Sequence, residues 1–381
     1  METESVRRRA LPLAAALLVL LLGSLAAAGA RAHAVATEAV QPGPLETVSG
    51  TVLTVQIDDR VSGKSGVYRE LRLDGGGSVS LTGDAAAGLQ AGAHVLLAGH
   101  GSGDALEATD VQVLSAPLSV RSELLAEGTL TIAHADDFAG GHSQFRYHVW
   151  DAAGRPTRLN VVRLPALLRS GSQVQVSGRL AADGTSLDPD SITVLAEASG
   201  TGMVAKSGTT NSVLVIMANF NNTAAPSYTA AQAQQIMVSN SDSVANYYNE
   251  VSYGGQLLNV TVTSTWVTMN LAATCDFTQI NPAANTAALA LNSTYNAANY
   301  AFVVYLFPSQ SCGWAGLAYV GYPHQAFING TGSFITQVVA HEMGHNFGLL
   351  HAGSLSCGSA AIGGSCSVAE YGDPWDTMGN Q

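Results

Sequence analysis

The run His341-Glu342-Met343-Gly344-His345-Asn346-Phe347-Gly348-Leu349-Leu350-His351 restricts what this chain can fold into more than any other stretch. It has the form H-E-x-x-H-x-x-G-x-x-H. Residues four apart share a helix face, so a helix through this run aims His341 and His345 the same way. Two neutral imidazoles on adjacent turns can grip one Zn²⁺. Glu342, beside the first of them, can reach a water at the metal as general base. A helix carried past Gly348 would swing the following residues away. Glycine accepts positive φ, so it can end the helix and turn the chain back to deliver His351 as third ligand. Three protein ligands leave one position open, as in catalytic rather than structural zinc sites. With 10 His in 381 residues, a chance match at every fixed position is improbable. Ahead of the motif, Phe334, Val338 and Val339 carry an apolar stripe at helical spacing, with Thr331 or Ser333 as candidate N-cap.

At the other end, residues 1–30 read as a secretory signal peptide. Arg7, Arg8 and Arg9 form a basic start, residues 11–28 an apolar run, and Ala28-Gly29-Ala30 and Ala32-His33-Ala34 two small-x-small cleavage sites. The alternative is an uncleaved signal anchor, since the run just reaches spanning length. Pro12, Gly23 and the small residues that follow favour cleavage, and no other apolar stretch could hold the chain in a membrane. The whole chain is rich in hydrophobic residues (47%) and poor in charged ones (12%), with a formal net charge of −12. No basic patch offers itself to nucleic acid.

The composition breaks at Lys206, after which neither Lys nor Arg occurs, and all four cysteines lie beyond it. Ala198-Ser199-Gly200-Thr201-Gly202 reads as a linker. Before the break the chain is internally repeated. Leu89-Gln90-Ala91-Gly92-Ala93-His94-Val95-Leu96-Leu97-Ala98-Gly99 resembles Leu168-Arg169-Ser170-Gly171-Ser172-Gln173-Val174-Gln175-Val176-Ser177-Gly178. Gly50-Thr51-Val52-Leu53 and Gly128-Thr129-Leu130-Thr131 open the two units, with a repeat of about 75 residues. Short alternating strands with Gly turns predict two small β-barrels or sandwiches, OB-like if barrels, over residues 31–120 and 121–200. No catalytic constellation is visible there. His94, His100, His134, His142 and His148 read as surface or turn histidines; the alternative for the stretch from His134 to His148, with Asp136 and Asp137, is a metal-binding cluster, loosely spaced and weak as a signal.

Residues 207–381 predict an α+β domain. Ser212-Val213-Leu214-Val215-Ile216-Met217-Ala218-Asn219-Phe220 reads as a buried strand, 229–248 as a helix capped by Thr229, 257–269 as a strand or hairpin, and 286–298 as a second helix. Residues 300–307 form another buried strand and 319–328 an edge strand, giving a twisted, mostly parallel sheet with long helices. Four cysteines in a secreted chain predict two disulfides in one of three connectivities. Cys357 with Cys366 closes the shortest loop and is preferred, which leaves Cys275 with Cys312; a thiolate metal site is the rival. Sequons stand at Asn221, Asn259, Asn292 and Asn329. Asp373 and Asp376 could bind Ca²⁺, but nothing beyond the two carboxylates supports that, and a turn and helix-cap role explains them.

From about residue 212 the chain resembles the metzincin zinc metallopeptidases, and specifically the gametolysin type. Two pieces carry the resemblance: the zinc motif and Glu370-Tyr371-Gly372-Asp373-Pro374-Trp375-Asp376-Thr377-Met378-Gly379, which resembles the family's methionine turn; Ser243-Val244-Ala245-Asn246-Tyr247-Tyr248-Asn249-Glu250-Val251-Ser252-Tyr253-Gly254 also resembles the helix end of these enzymes. The resemblance implies that His341, His345 and His351 bind one catalytic Zn²⁺, that Glu342 is the base, and that Met378 floors the site. The family's occasional Tyr two residues after that methionine is Asn380 here, so its role does not transfer. Metzincins continue past the methionine turn with a helix, whereas this sequence stops at Gln381: a fragment of a longer product, or an unusually short domain.

The expected function is a secreted zinc endopeptidase cutting extracellular-matrix or cell-wall (glyco)proteins, the substrate lying extended along a sheet edge. Residues 31–205 would be a pro-region or accessory region. Having no Cys, that region cannot block zinc with a thiolate and must close the cleft another way. The competing reading is a non-catalytic extracellular binding protein with a structural zinc.

Overall fold

The computed structural model describes residues 43–59, 64–102, 105–115, 124–165, 168–198, 208–358 and 366–379. The leader expected over residues 1–30 and most of the expected linker lie outside them. What is described is a mixed, sheet-rich fold with few helices.

The repeat foreseen in the N-terminal half appears as two sets of strands with matching pairings. The first comprises β1 (Leu45–Asp59), β2 (Lys64–Leu73), β3 (Ser78–Thr82), the short helix α1 (Asp84–Ala87), β4 (His94–Ser102) and β5 (Ala105–Ser115). The second comprises β6 (Leu124–Asp137), β7 (His142–Trp150), β8 (Pro156–Leu159), β9 (Gln173–Leu180) and β10 (Leu187–Ala196). In the first, pairings run β1–β2–β3–β5–β4 and back to β1. In the second they run β6–β7–β8–β10–β9 and back to β6. Alternate side chains point into each circuit: Val52, Leu71, Val95, Leu97 and Leu106 in one, Leu130, Tyr147, Val149, Val174, Val176 and Ile192 in the other. A parallel β1–β10 pairing joins the two sets.

The C-terminal half holds β11 (Thr209–Asn219), α2 (Ala230–Gln234), α3 (Val244–Val251), β12 (Gln256–Val262), β13 (Val267–Thr268) and α4 (Phe277–Leu291). Then follow β14 (Phe302–Phe307), β15 (Gly316–Tyr319), β16 (Gln325–Asn329), α5 (Thr336–Asn346), β17 (Ser354–Ser356) and β18 (Ser367–Ala369). The sheet order is β12-β11-β14-β16-β15. β15 alone runs antiparallel to its neighbour in this set; the other pairings are parallel. The continuous apolar run of β11 reflects burial on both faces. Leu214, Ile216 and Ala218 pack toward α4 through Phe277, Ile280, Ala284 and Ala288. Val213, Val215 and Met217 pack the other way, toward Ala233, Met237, Val244, Val338, Val339 and Met343 of the remaining helices. Each such fully buried aliphatic or aromatic side chain stabilises by about 1.5–3 kcal/mol.

Several expected elements are redrawn. The helix foreseen over 229–248 is two: Thr229 caps α2 in a reciprocal capping box with Gln232, a π-turn follows, and Ser243 caps α3 afresh. Residues 257–269 are no hairpin, because β12 and β13 both run parallel to β11. α4 begins earlier than foreseen, at an Asp276 cap that accepts the Thr278 amide, and it carries Pro282 inside. The edge expected over 319–328 is a hairpin of β15 and β16, turning through Gly321 and His324, both at positive φ. Neither Thr331 nor Ser333 caps α5; its N-cap is Ile335, with no side-chain cap bond.

The two halves meet at β15. Its free border is taken by β6, antiparallel, with Gly316 opposite Asp136, Leu317 opposite Ala135, Ala318 opposite His134 and Tyr319 opposite Ala133. One strand ladder therefore runs from the first repeat to β12. Because side chains alternate along β6, Ala133 and Ala135 enter the α4-side core while His134 and Asp136 face the opposite way.

Candidate active site

The zinc-motif residues sit at the C-terminal end of α5. His341 and His345 are fully buried on one helix face, with ring centroids 4.9 Å apart. The helix stops where the sequence foresaw: Gly348 has φ 91°. Its amide donates to His345 O (2.8 Å) and the Leu349 amide to Gly344 O (3.1 Å), the paired bonds of a Schellman cap. The chain then turns back and brings the His351 ring to 5.1 Å from each of the other two.

Each of the three imidazoles is held from behind at Nδ1. His341 donates to Thr377 O (2.7 Å), His345 to Leu349 O (2.8 Å) and His351 to Glu370 Oε1 (2.8 Å). Carbonyl and carboxylate oxygens only accept, so Nδ1 carries the proton. Nε2 is left to offer its lone pair, the arrangement that orients histidine metal ligands. Cap and turn thus serve the site: Leu349 belongs to the helix stop, and Thr377 to the turn preceding Met378. That methionine is buried (5% exposed). A Cβ on Gly344 would lie 2.4 Å from Met378 Sδ, so the turn approaches α5 at a point only glycine leaves open. Asp376 Oδ1 accepts the Met378 amide and Asp373 Oδ1 the Trp375 amide, so both carboxylates brace this turn.

Glu342 is fully buried, and both its oxygens lack a hydrogen-bond partner. It lies against β15 where Gly316 has no side chain; a Cβ there would fall 2.0 Å from Glu342 Oε1. Burial first, and the negative charge of Asp136 second, hold its carboxyl well above the usual range.

Three residues that the sequence reading did not assign to this place stand in it. The reading of His134 as a surface histidine fails: it is 1% exposed, its Nδ1 lies 3.4 Å from His345 Nε2, and burial pushes its pKa down to about 3. His148, also expected at the surface, is buried on the same half, edge-on to Phe277. Asp136, fully buried, projects between the imidazoles: Oδ1 is 2.8 Å from His351 Nε2, and Oδ2 is 3.3 Å from His345 Nε2 and 3.8 Å from His341 Nε2. The hydroxyl of Tyr371 donates to Asp136 Oδ1, and its ring stacks on His351 at 3.8 Å. Tyr371 has φ 58°, an uncommon left-handed conformation for a bulky residue. The sequence offers His134 and Asp136 only as part of a loose metal cluster and gives Tyr371 no role, because His134 and Tyr371 meet their partners across 211 and 235 positions of chain.

These residues fit a metal. His341 Nε2 and Asp136 Oδ2 are buried without hydrogen-bond partners, and His351 Nε2 approaches Asp136 Oδ1 without hydrogen-bond geometry. Lone pairs converging on a buried carboxylate repel unless a cation or proton lies between them. Ligand atoms around a tetrahedral Zn²⁺ with bonds of about 2.0–2.1 Å sit about 3.3 Å apart. The three distances from Asp136, 2.8, 3.3 and 3.8 Å, bracket that spacing. Burial alone would keep His351 neutral, but Asp136 and Glu370 outweigh it and hold its pKa above the usual value. A divalent ion bound here would take the place of that proton.

The four cysteines form two disulfides, Cys275–Cys312 and Cys357–Cys366. No helix among the described residues is long and apolar enough to cross a membrane. No curated protein matches the chain. Residues 212–380 match the family model described as gametolysin peptidase M11. Those residues hold the motif helix, the turn at Met378 and the three oriented imidazoles, and they form a zinc metallopeptidase domain of the gametolysin family.

Proposed function

We propose that this chain is a secreted endopeptidase in which His341, His345 and His351 hold one Zn²⁺ and Glu342 is the general base. The observation that carries the reading is the triple restraint at Nδ1, which leaves the Nε2 of each imidazole free beside the buried Asp136 carboxylate. Zn²⁺ supplies Lewis acidity there, acidifying water and polarising a carbonyl. Glu342, the first motif histidine's neighbour, takes the proton of the attacking water and passes it to the leaving amine. Such base catalysis contributes about 10²–10⁴-fold. Tyr371 supplies a hydroxyl donor beside the position that Asp136 now takes, where an oxyanion would develop.

The substrate lies along β15 in the place β6 now takes, pairing its backbone with the strand. Two disulfides accord with secretion, and the substrate class following from the family resemblance is extracellular-matrix or cell-wall glycoprotein. The two strand circuits are small five-stranded barrels forming a pro-region over residues 31–205, and the peptidase domain begins near residue 207. Zinc content and casein hydrolysis of the secreted chain test the assignment. One zinc per chain is expected, retained in Glu342→Ala and lost in His341→Ala, with hydrolysis lost in both. Hydrolysis that survives Glu342→Ala would remove the base; a zinc-loaded parent inert in every processed form would favour a binding protein.

A further inference from the structure

The residue that stands at the centre of the histidine cluster does not come from the peptidase domain. We propose that Asp136 is the fourth protein ligand of the metal held by His341, His345 and His351, so that the β-rich half keeps the site closed. The proposal rests on the histidine-site reading above.

Four observations carry it. First, the carboxylate is fully buried, and its ion-pair contacts are all with imidazoles: His134, His341, His345 and His351. A buried carboxylate without a cation costs several kcal/mol. The peptidase domain cannot supply a fixed cation, because no Lys or Arg follows Lys206. Second, its two oxygens stand at metal-ligand spacing from three Nε2 atoms. Third, the backbone holds it there. The β6–β15 ladder is extended by Ala315 N donating to Asp136 O (2.8 Å) and Val320 N to Ile132 O (2.8 Å). Fourth, contacts on both sides lock the placement. Tyr371 donates to Asp136, Ser143 Oγ of β7 donates to Glu370 Oε1 (2.8 Å), and Phe138 sets its ring edge-on to His341 at 4.9 Å.

A carboxylate in the fourth position excludes the water that hydrolysis needs. β6 also holds the border on which a substrate would lie. The same strand therefore closes the site twice, at the metal and along the edge. This answers how a half without cysteine can block a zinc site.

The test uses the full-length chain loaded with Co²⁺, whose visible absorption reports coordination, and acetohydroxamate as a small chelating probe. The parent, Asp136→Ala and the near-isosteric Asp136→Asn are compared, with mass spectrometry confirming uncut chains. The parent spectrum should stay unchanged on adding acetohydroxamate. Both variants should start from a different spectrum and shift saturably with the probe. Cobalt bound with the same spectrum and the same probe response in all three chains would overturn the fourth ligand alone. A parent that binds no cobalt would overturn the histidine site and the proposal together.

Discussion

At the scale of single residues, the site depends on what stands behind the imidazoles. Glu370 is the informative case. Its Oε1 accepts from His351 Nδ1 and from Ser143, and it lies directly before Tyr371 in the chain. The hydrogen bond from His351 is the foremost cause holding its pKa down at about 2, so it is ionised at any working pH. Replacing it frees the His351 ring to rotate and removes the charge that raises its basicity. Glu370→Ala should weaken zinc binding about 10–100-fold, the usual effect of losing a group that orients a ligand. Competition with a chromophoric chelator measures this. An unchanged affinity would show that the turn after Gly348 alone fixes His351.

At the scale of elements, the cap of α5 is the hinge of the design. Gly348 at φ 91° makes both Schellman bonds feasible, and Leu349 O then holds His345. A residue with a Cβ costs about 1–2 kcal/mol in that conformation. Gly348→Ala should lower the melting temperature of the chain and weaken zinc binding together. Differential scanning calorimetry with and without a chelator separates the two effects; a lower melting temperature with zinc affinity intact would mean that His351 is placed independently of the cap. This element was legible in the sequence because its signals are local: histidines four apart, then glycine three later. The helix over 277–291 starts earlier than the sequence reading of 286–298: Asp276 caps it, Pro282 lies inside it, and Ile280, Ala284 and Ala288 carry its stripe. The helix foreseen over 229–248 was read through its break, since Gln235, Met237 and Val238 are acceptable in a helix and only the Ser243 cap marks a restart. Asp136 was legible only as a member of a loose metal cluster, and Tyr371 only as part of the methionine-turn segment. Their roles exist only once β6 pairs with β15, and neither strand carries a sign of its partner.

At the scale of the whole molecule, the contact between the halves has its own acid sensitivity. His148 of β7 lies edge-on to Phe277 of α4, with Asp276, Arg146 and Arg158 as its charged neighbours. Burial pushes its pKa down to about 4 from a free value of 6.5, with the two arginines adding to the effect and Asp276 opposing it. The sign follows. Above pH 6.5 both folded and unfolded chains carry a neutral ring, and no penalty applies. Between pH 6.5 and about 4 the unfolded chain takes a proton that the folded one refuses, so stability falls as pH drops. Two to three pH units at about 1.4 kcal/mol each give a loss on the order of 3 kcal/mol. Urea titrations from pH 7 to 4 should show this slope in the parent, and His148→Phe should flatten it. A slope unchanged in the variant would place the sensitive group elsewhere.

The shared ladder between β6 and β15 has one more consequence, for the protein after maturation. Cutting the connection near residue 205 would not by itself free the cleft, because the severed piece stays hydrogen-bonded along Ala315, Gly316, Leu317, Ala318 and Tyr319. Once it departs, the enzyme is left with a bare row of amides and carbonyls, and such a border adheres to any extended polypeptide, a sister molecule included. On the proposed reading, loss of the β-rich half would exchange a closed site for a catalyst that is adhesive at the place where it must receive its meal.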